Sequence, residues 1–161
     1  MKNEKIEISY LRASLSDLSK IDQQLISHAK LSLKNAYAPY SGFSVGASVL
    51  LDNKRIVNGN NQENVAFPSG ICAERVALFY ASSKYPDVKI NTIAISASTK
   101  FFDINKIVAP CGACRQVMAE YQNKQDLNIR VILNMKKEVI VMDKVDDLLP
   151  FMFVCGELKK Y

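Results

Sequence analysis

Three cysteines stand where two helices should begin, and any fold of this chain has to satisfy them together. Cys72 opens "CAERVALFYASSKY", and Cys111 and Cys114 open "PCGACRQVMAEYQN". The first stretch reads as a helix stopped by Pro86, the second as a helix started by Pro110. Cys111 and Cys114 are three residues apart and share one face of a first helical turn. The free N–H groups and the dipole of a helix N-terminus favour negative charge. They therefore stabilise thiolates, the form that binds metal. If the two N-termini face each other, three thiolates converge. That set suits Zn²⁺ and leaves a fourth position for water, which separates a catalytic zinc from a closed structural one.

Glu74 lies two residues after Cys72. Neighbours two apart diverge around a helix, but within the first turn Glu74 can still point into a pocket beside a metal. A carboxylate there can take a proton from an activated water and pass it on. Three thiolates around a divalent ion leave a net negative charge, so Arg75 and Arg115, beside the ligands in sequence, are candidates to hydrogen-bond the sulfurs and offset it. Other readings of the cysteines stand beside this one. Cys72 alone reads as a core thiol, and Cys111 with Cys114 could be a redox pair, which leaves Cys72 and Glu74 without a task. Disulfides need an oxidising compartment. Cys155 matches no pattern and reads as an inert thiol.

The rest of the chain supplies strands around those helices. "LSDLSKIDQQLISHAKLSLKNAY" carries apolar residues at Leu18, Ile21, Leu25, Ala29 and Leu33, a helical spacing with Ser16 as N-cap. "FSVGASVLL" and "KRIVNGN" flank "DNK" and read as a hairpin. "VKINTIAISAS", "NIRVILN" and "EVIVM" read as strands, and "LLPFMF" as a short irregular tail. The alternation predicts an α/β fold, a three-layer α/β/α sandwich with a mixed, five-stranded sheet, in a single domain spanning residues 1–161.

Composition excludes other classes. The formal charge of +5 is scattered, with no Lys/Arg run longer than two. That argues against a nucleic-acid polymer as partner. "MKNEKIEISY" has no apolar segment of a signal peptide, and "LLPFMFVC" is too short to span a bilayer. A soluble, cytoplasmic protein with no membrane partner is the expectation. His28 is the single histidine, which rules against a Ser-His-Asp hydrolase.

Taken together, "YAPYSGFSVGA", "GNNQENVAFPSGICAER" and "APCGACRQVMAEY" resemble cytidine deaminase of the small, homotetrameric type, with the Cys-x-Glu and Pro-Cys-x-x-Cys elements of zinc deaminases. The resemblance runs from about Leu31 to Phe153. It implies hydrolytic deamination of cytidine and deoxycytidine, a reaction of pyrimidine salvage, with Cys72, Cys111 and Cys114 on Zn²⁺ and Glu74 as proton shuttle. It further implies that Asn61 and Glu63 bond the ribose hydroxyls, that Phe43 lines the nucleoside pocket, and that the Ala73 backbone holds the base edge. Phe153 would stack on the base in a neighbouring subunit, so the partners are a nucleoside and three further copies of the chain. Phe67 stands where the family usually carries tyrosine. The alternatives are a deaminase of an aminonucleoside antibiotic and a non-catalytic zinc-stabilised binding protein.

Overall fold

Among the residues that the computed structural model describes, 1–160, six strands form one sheet. They are β1 (Leu11–Ala13), β2 (Phe43–Leu51), β3 (Ile56–Asn60), β4 (Ile90–Thr99), β5 (Arg130–Asn134) and β6 (Val139–Met142). Three α-helices pack on them, α1 (Lys20–Ser32), α2 (Ala73–Lys84) and α3 (Gly112–Gln125). The strand order is β1-β6-β5-β4-β2-β3. Only β4 and β5 run parallel among these neighbours, because α3 carries the chain across between them, as a parallel connection requires.

The period-2 alternation of the strands sorts the core into two layers. Ala47, Val49 and Leu51 of β2, Ile93 and Ile95 of β4, and Val131 and Leu133 of β5 pack with Ala73, Ala77 and Leu78 of α2 and Met118 and Ala119 of α3. Leu50, Ala94 and Ile132, their out-of-phase neighbours, pack with Leu25, Ile26 and Ala29 of α1 on the opposite face. This is the three-layer mixed sandwich that the sequence predicts. Burial on both faces explains why Ile93, Ala94 and Ile95 of β4 form an unbroken apolar run.

Three details differ from the sequence reading. The sheet has six strands, not five, because Leu11–Ala13 adds an edge strand with Leu11 opposite Val141 and Ala13 opposite Val139. Three residues are too few for a periodic signal. Helix α1 is capped by Ser19, not Ser16: Ser19 Oγ accepts from Asp22 N at 3.2 Å. The earlier Ser14–Asp17 capping box starts only a 3₁₀ turn, Leu15–Asp17, which ends where Leu18 turns extended. The buried face of α1 is accordingly rotated toward Asp22, Leu25, Ile26 and Ala29, and leaves Ile21 exposed. Asp22 is buried yet satisfied, by Ser19 and by Arg130 of β5 at 3.2 Å.

The elements that matter next are the N-termini of α2 and α3. Gly59 of β3 lies against the Ala73 carbonyl and the Ala77 backbone, with no room for a β-carbon. That contact seats the first turns of α2 directly on the sheet. Tyr85 ends α2 one residue before Pro86, as the restriction on residues preceding proline demands. Among the described residues no helix is long and apolar enough to cross a membrane.

Candidate active site

Cys72 is the N-cap of α2 and Cys111 the N-cap of α3, both in extended backbone (ψ 153° and 165°). Cys114 follows in the first turn of α3. The two helix starts meet, and the three sulfurs lie within 4.8 Å of one another. Cys72 and Cys111 are 3.9 Å apart and Cys111 and Cys114 3.5 Å. A tetrahedral ion with Zn–S bonds of about 2.3 Å sets its sulfurs roughly 3.8 Å apart, so these spacings match a zinc donor set. Cys114 is buried, Cys72 half-buried and Cys111 exposed, so one side of the cluster is open.

The electrostatics of the cluster also call for a cation. A hydrogen bond from Cys114, and then the Arg75 guanidinium, pull the Cys72 thiol down to about 5 against the opposing effect of burial. The same hydrogen bond and burial push Cys114 far up, so it holds its proton. Cys72 and Cys114 cannot both ionise unless positive charge is placed between them, and a divalent ion supplies that charge while releasing the protons. Arg75, three residues after Cys72, donates from Nη2 to Cys72 Sγ at 3.8 Å. Its Nε is buried with no hydrogen-bond partner among the described residues, a donor left over for a negatively charged cluster. Arg115 does not join it. Its Nε donates to the Pro110 carbonyl at 2.8 Å and its Nη1 to the Leu148 carbonyl at 2.9 Å, so it fixes backbone on either side of α3 and touches no sulfur.

Glu74 is 4% exposed. Burial first, and the charge of Cys72 after it, hold its carboxyl above the usual carboxylate range, while the Cys114 thiol and Arg75 pull the other way. A buried carboxyl whose pKa is shifted by burial and by a neighbouring charge is a candidate acid–base group. Ala73, between Cys72 and Glu74, is the first helical residue of α2 and is fully buried.

A cleft of about 520 Å³ opens beside Cys72 and Arg75 and is lined by Tyr40, Ser41, Asn61, Glu63 and Phe67 among others. Its size falls in the roughly 300–1,000 Å³ range of small-molecule sites. Glu74 and Cys114 are buried and do not line it. Asn61 ties the end of β3 to β2: Oδ1 accepts from Val45 N at 2.7 Å and Nδ2 donates to the Phe43 carbonyl at 2.9 Å. One N–H and one lone pair of its amide remain for a ligand. Glu63 accepts from Tyr40 N at 2.9 Å, from Ser41 N at 3.2 Å and from the Ser41 hydroxyl. Those bonds, Ser41 first, hold its pKa low. Ser41 was not among the candidates from sequence, and its distance along the chain from Glu63 gave no signal for it.

Phe43, expected to line the pocket, is half-buried at the start of β2; its backbone is bonded to Ser41 and Asn61 of the cleft lining, but it does not itself line the cleft. Phe67 is 74% exposed and meets Tyr40 edge-on at 5.9 Å. Phe153 lies apart from the cleft lining and is 69% exposed. Its backbone is held by Gln116 of α3, which donates to the Phe153 carbonyl at 2.8 Å and accepts its N–H at 3.0 Å. Gln116 is a further residue that the sequence did not single out.

Comparison with known proteins points the same way as the geometry. The sequence model of the cytidine and deoxycytidylate deaminase zinc-binding region matches residues 19–127. Over 98 residues the chain is 43% identical to the cytidine deaminase of Halalkalibacterium halodurans, covering 61% of this chain and 70% of that protein. It is 41% identical over 101 residues to that of Sporosarcina psychrophila, covering 63% and 70%. The crystal structure of cytidine deaminase from Burkholderia pseudomallei superposes with a TM-score of 0.71 at 36% identity, covering 84% of this chain and 100% of that one.

Proposed function

Because this chain belongs to the cytidine and deoxycytidylate deaminase zinc-binding family, we propose that it hydrolyses the exocyclic C–N bond of cytidine and deoxycytidine. Water adds, ammonia leaves, and uridine or deoxyuridine is the product. The observation that carries this reading is the convergence of three thiols on two helix N-termini with Glu74 buried in the same turn. Cys72, Cys111 and Cys114 hold zinc, which when bound acts as a Lewis acid and lowers the pKa of a water toward neutrality. Glu74 takes a proton from the attacking water on its carboxylate. It delivers that proton to N3 of the ring, then takes the second proton of the added water from the hydroxyl on C4 and hands it to the amine as the C–N bond breaks. The burial that raises its pKa suits it to both directions of transfer. Arg75 hydrogen-bonds Cys72 and offsets the excess negative charge of three thiolates.

Around this chemistry the nucleoside is oriented by groups that the fold has already fixed. The free amide hydrogen of Asn61 and the remaining acceptor capacity of Glu63 take the ribose hydroxyls. The backbone of Ala73 meets the base edge, and Phe43 borders the nucleoside pocket. The exposed ring of Phe153, on a clamped backbone, serves the site of another copy in a homotetramer. The single domain works in the cytoplasm, where thiols stay reduced and available for metal.

Purified, metal-quantified protein incubated with cytidine tests the proposal through loss of the cytosine absorbance, with adenosine and single-stranded DNA as controls. Conversion to uridine, with about one zinc per chain, is the expected result. Bound zinc with no conversion overturns the cytidine reading and turns attention to another aminonucleoside, or to a zinc-stabilised binding protein.

A further inference from the structure

Two rings from the loop between β4 and α3 rest on the start of β2. Phe101 lies against Gly42, where a β-carbon would collide with its ring, and Gly42 has φ +59°, a conformation open to glycine. The next ring, Phe102, stacks on Phe43 with centroids 6.3 Å apart and planes at 25°. The loop is tied down on both sides of the pair. Phe101 N donates to Thr99 Oγ1 at 3.3 Å, and Asp103 pairs with Lys136 at 3.0 Å. Since Phe43 lies opposite Thr99 in the β2–β4 ladder, the loop folds back over the end of that ladder.

What Phe102 covers is tied to the polar side of the cleft. Phe43 N donates to Ser41 Oγ at 3.0 Å, the Phe43 carbonyl accepts from Asn61 at 2.9 Å, and the Ser41 hydroxyl donates to Glu63. By alternation with Val45 and Ala47, Phe43 belongs to the sheet face that carries α2 and α3. Phe102 itself is 61% exposed and belongs to neither core cluster. Its ring is therefore not needed to fill the interior.

We propose that Phe102 is a positioning residue for nucleoside binding: its ring fixes the orientation of Phe43 and so sets affinity, not the rate of the chemical step. The inference rests on the reading of the site as a cytidine site. A stacked aromatic pair contributes an increment that corresponds to about a two- to tenfold change in affinity. In zinc-loaded protein, Phe102→Ala raises KM for cytidine by roughly three- to tenfold and leaves kcat within about twofold, while Phe102→Tyr restores KM. A second variant reads binding without turnover. The chain has no tryptophan, so Phe102→Trp introduces a single reporter, and titration with uridine produces a saturable change in its fluorescence. Unchanged KM in Phe102→Ala, a fall in kcat alone, or a silent Phe102→Trp titration overturns the role of Phe102 while wild-type turnover keeps the functional reading intact. Wild-type protein that neither converts cytidine nor binds uridine removes that reading and this inference with it.

Discussion

The sulfur cluster and the aromatic residues around it are built by opposite means. Cys72, Glu74 and Cys114 sit on helix turns whose neighbours Ala73, Ala77 and Met118 are fully buried, so their positions are set by the packing of the sheet core. Phe67, Phe102 and Phe153 are mostly exposed and are held by what their backbones or their ring neighbours do. Chemistry gains from the first arrangement, because burial strengthens each charge–charge interaction and tunes each pKa. Recognition gains from the second, because an exposed ring on a fixed backbone can be covered by a ligand or another subunit at little ordering cost. Changes at the buried group should accordingly alter metal retention or rate, and changes at the rings should alter KM.

The sharpest break comes from the cluster itself. Cys114→Ser replaces the buried thiol proposed as a ligand with a poor donor. Zinc affinity falls by more than the roughly 10–100-fold typical of losing an outer-shell partner, and turnover drops to background. Metal analysis after dialysis checks it, and stoichiometric zinc with retained turnover would sink the ligand assignment. Next in size is Glu74→Gln, which should keep shape and zinc but remove the proposed proton shuttle. kcat falls by about 10²–10⁴, with metal content and melting temperature near those of the parent. Near-normal turnover would separate Glu74 from the chemistry and leave the buried carboxyl a purely structural group.

The two regions also differ in how readily the sequence discloses them. The cluster is written in local signals: Pro110 before Cys111, the three-residue spacing to Cys114, and helix stops at Pro86. Pro110 and the three-residue spacing act within one turn of the cysteines, and Pro86 fixes only the far end of α2. The three layers were legible because each helix and strand is marked by its own short-range signals, and their order along the chain then implies helices on both faces of a sheet. What escaped is long-range. Edge strand β1 is only three residues and is recognisable through its partner, with Arg12 paired to Glu138 across the chain. Arg115 stands four residues after Cys111, a spacing that shares a helix face, yet the Leu148 carbonyl holds its guanidinium. The clamp of Gln116 on Phe153 and the stacking of Phe102 on Phe43 join distant segments that no periodicity connects.

At the aromatic residues, Phe153→Ala should leave zinc and kcat nearly unchanged. KM rises by about fivefold or more, from the roughly 1–3 kcal/mol of a base stacked on an aromatic ring. Steady-state kinetics with cytidine checks this, and an unchanged KM would show that the exposed ring serves no nucleoside.

The smallest effect is expected at Gln116, and it decides whether the ring or its backbone support matters. Gln116 makes two hydrogen bonds to one residue's backbone, each worth about 0.5–1.5 kcal/mol net, and less where solvent competes. Gln116→Ala frees the tail without removing the ring, so the ring still reaches its place for part of the time. KM should rise by about two- to threefold, less than in Phe153→Ala. If the clamp acts only by placing that ring, the double variant Gln116→Ala/Phe153→Ala has the KM of Phe153→Ala alone, because residues that act through one contact are not additive. Full additivity would mean that Gln116 supports the site by some other route, and the contrast between a core fixed by packing and rings fixed by their backbones would fail at the position where it is most explicit.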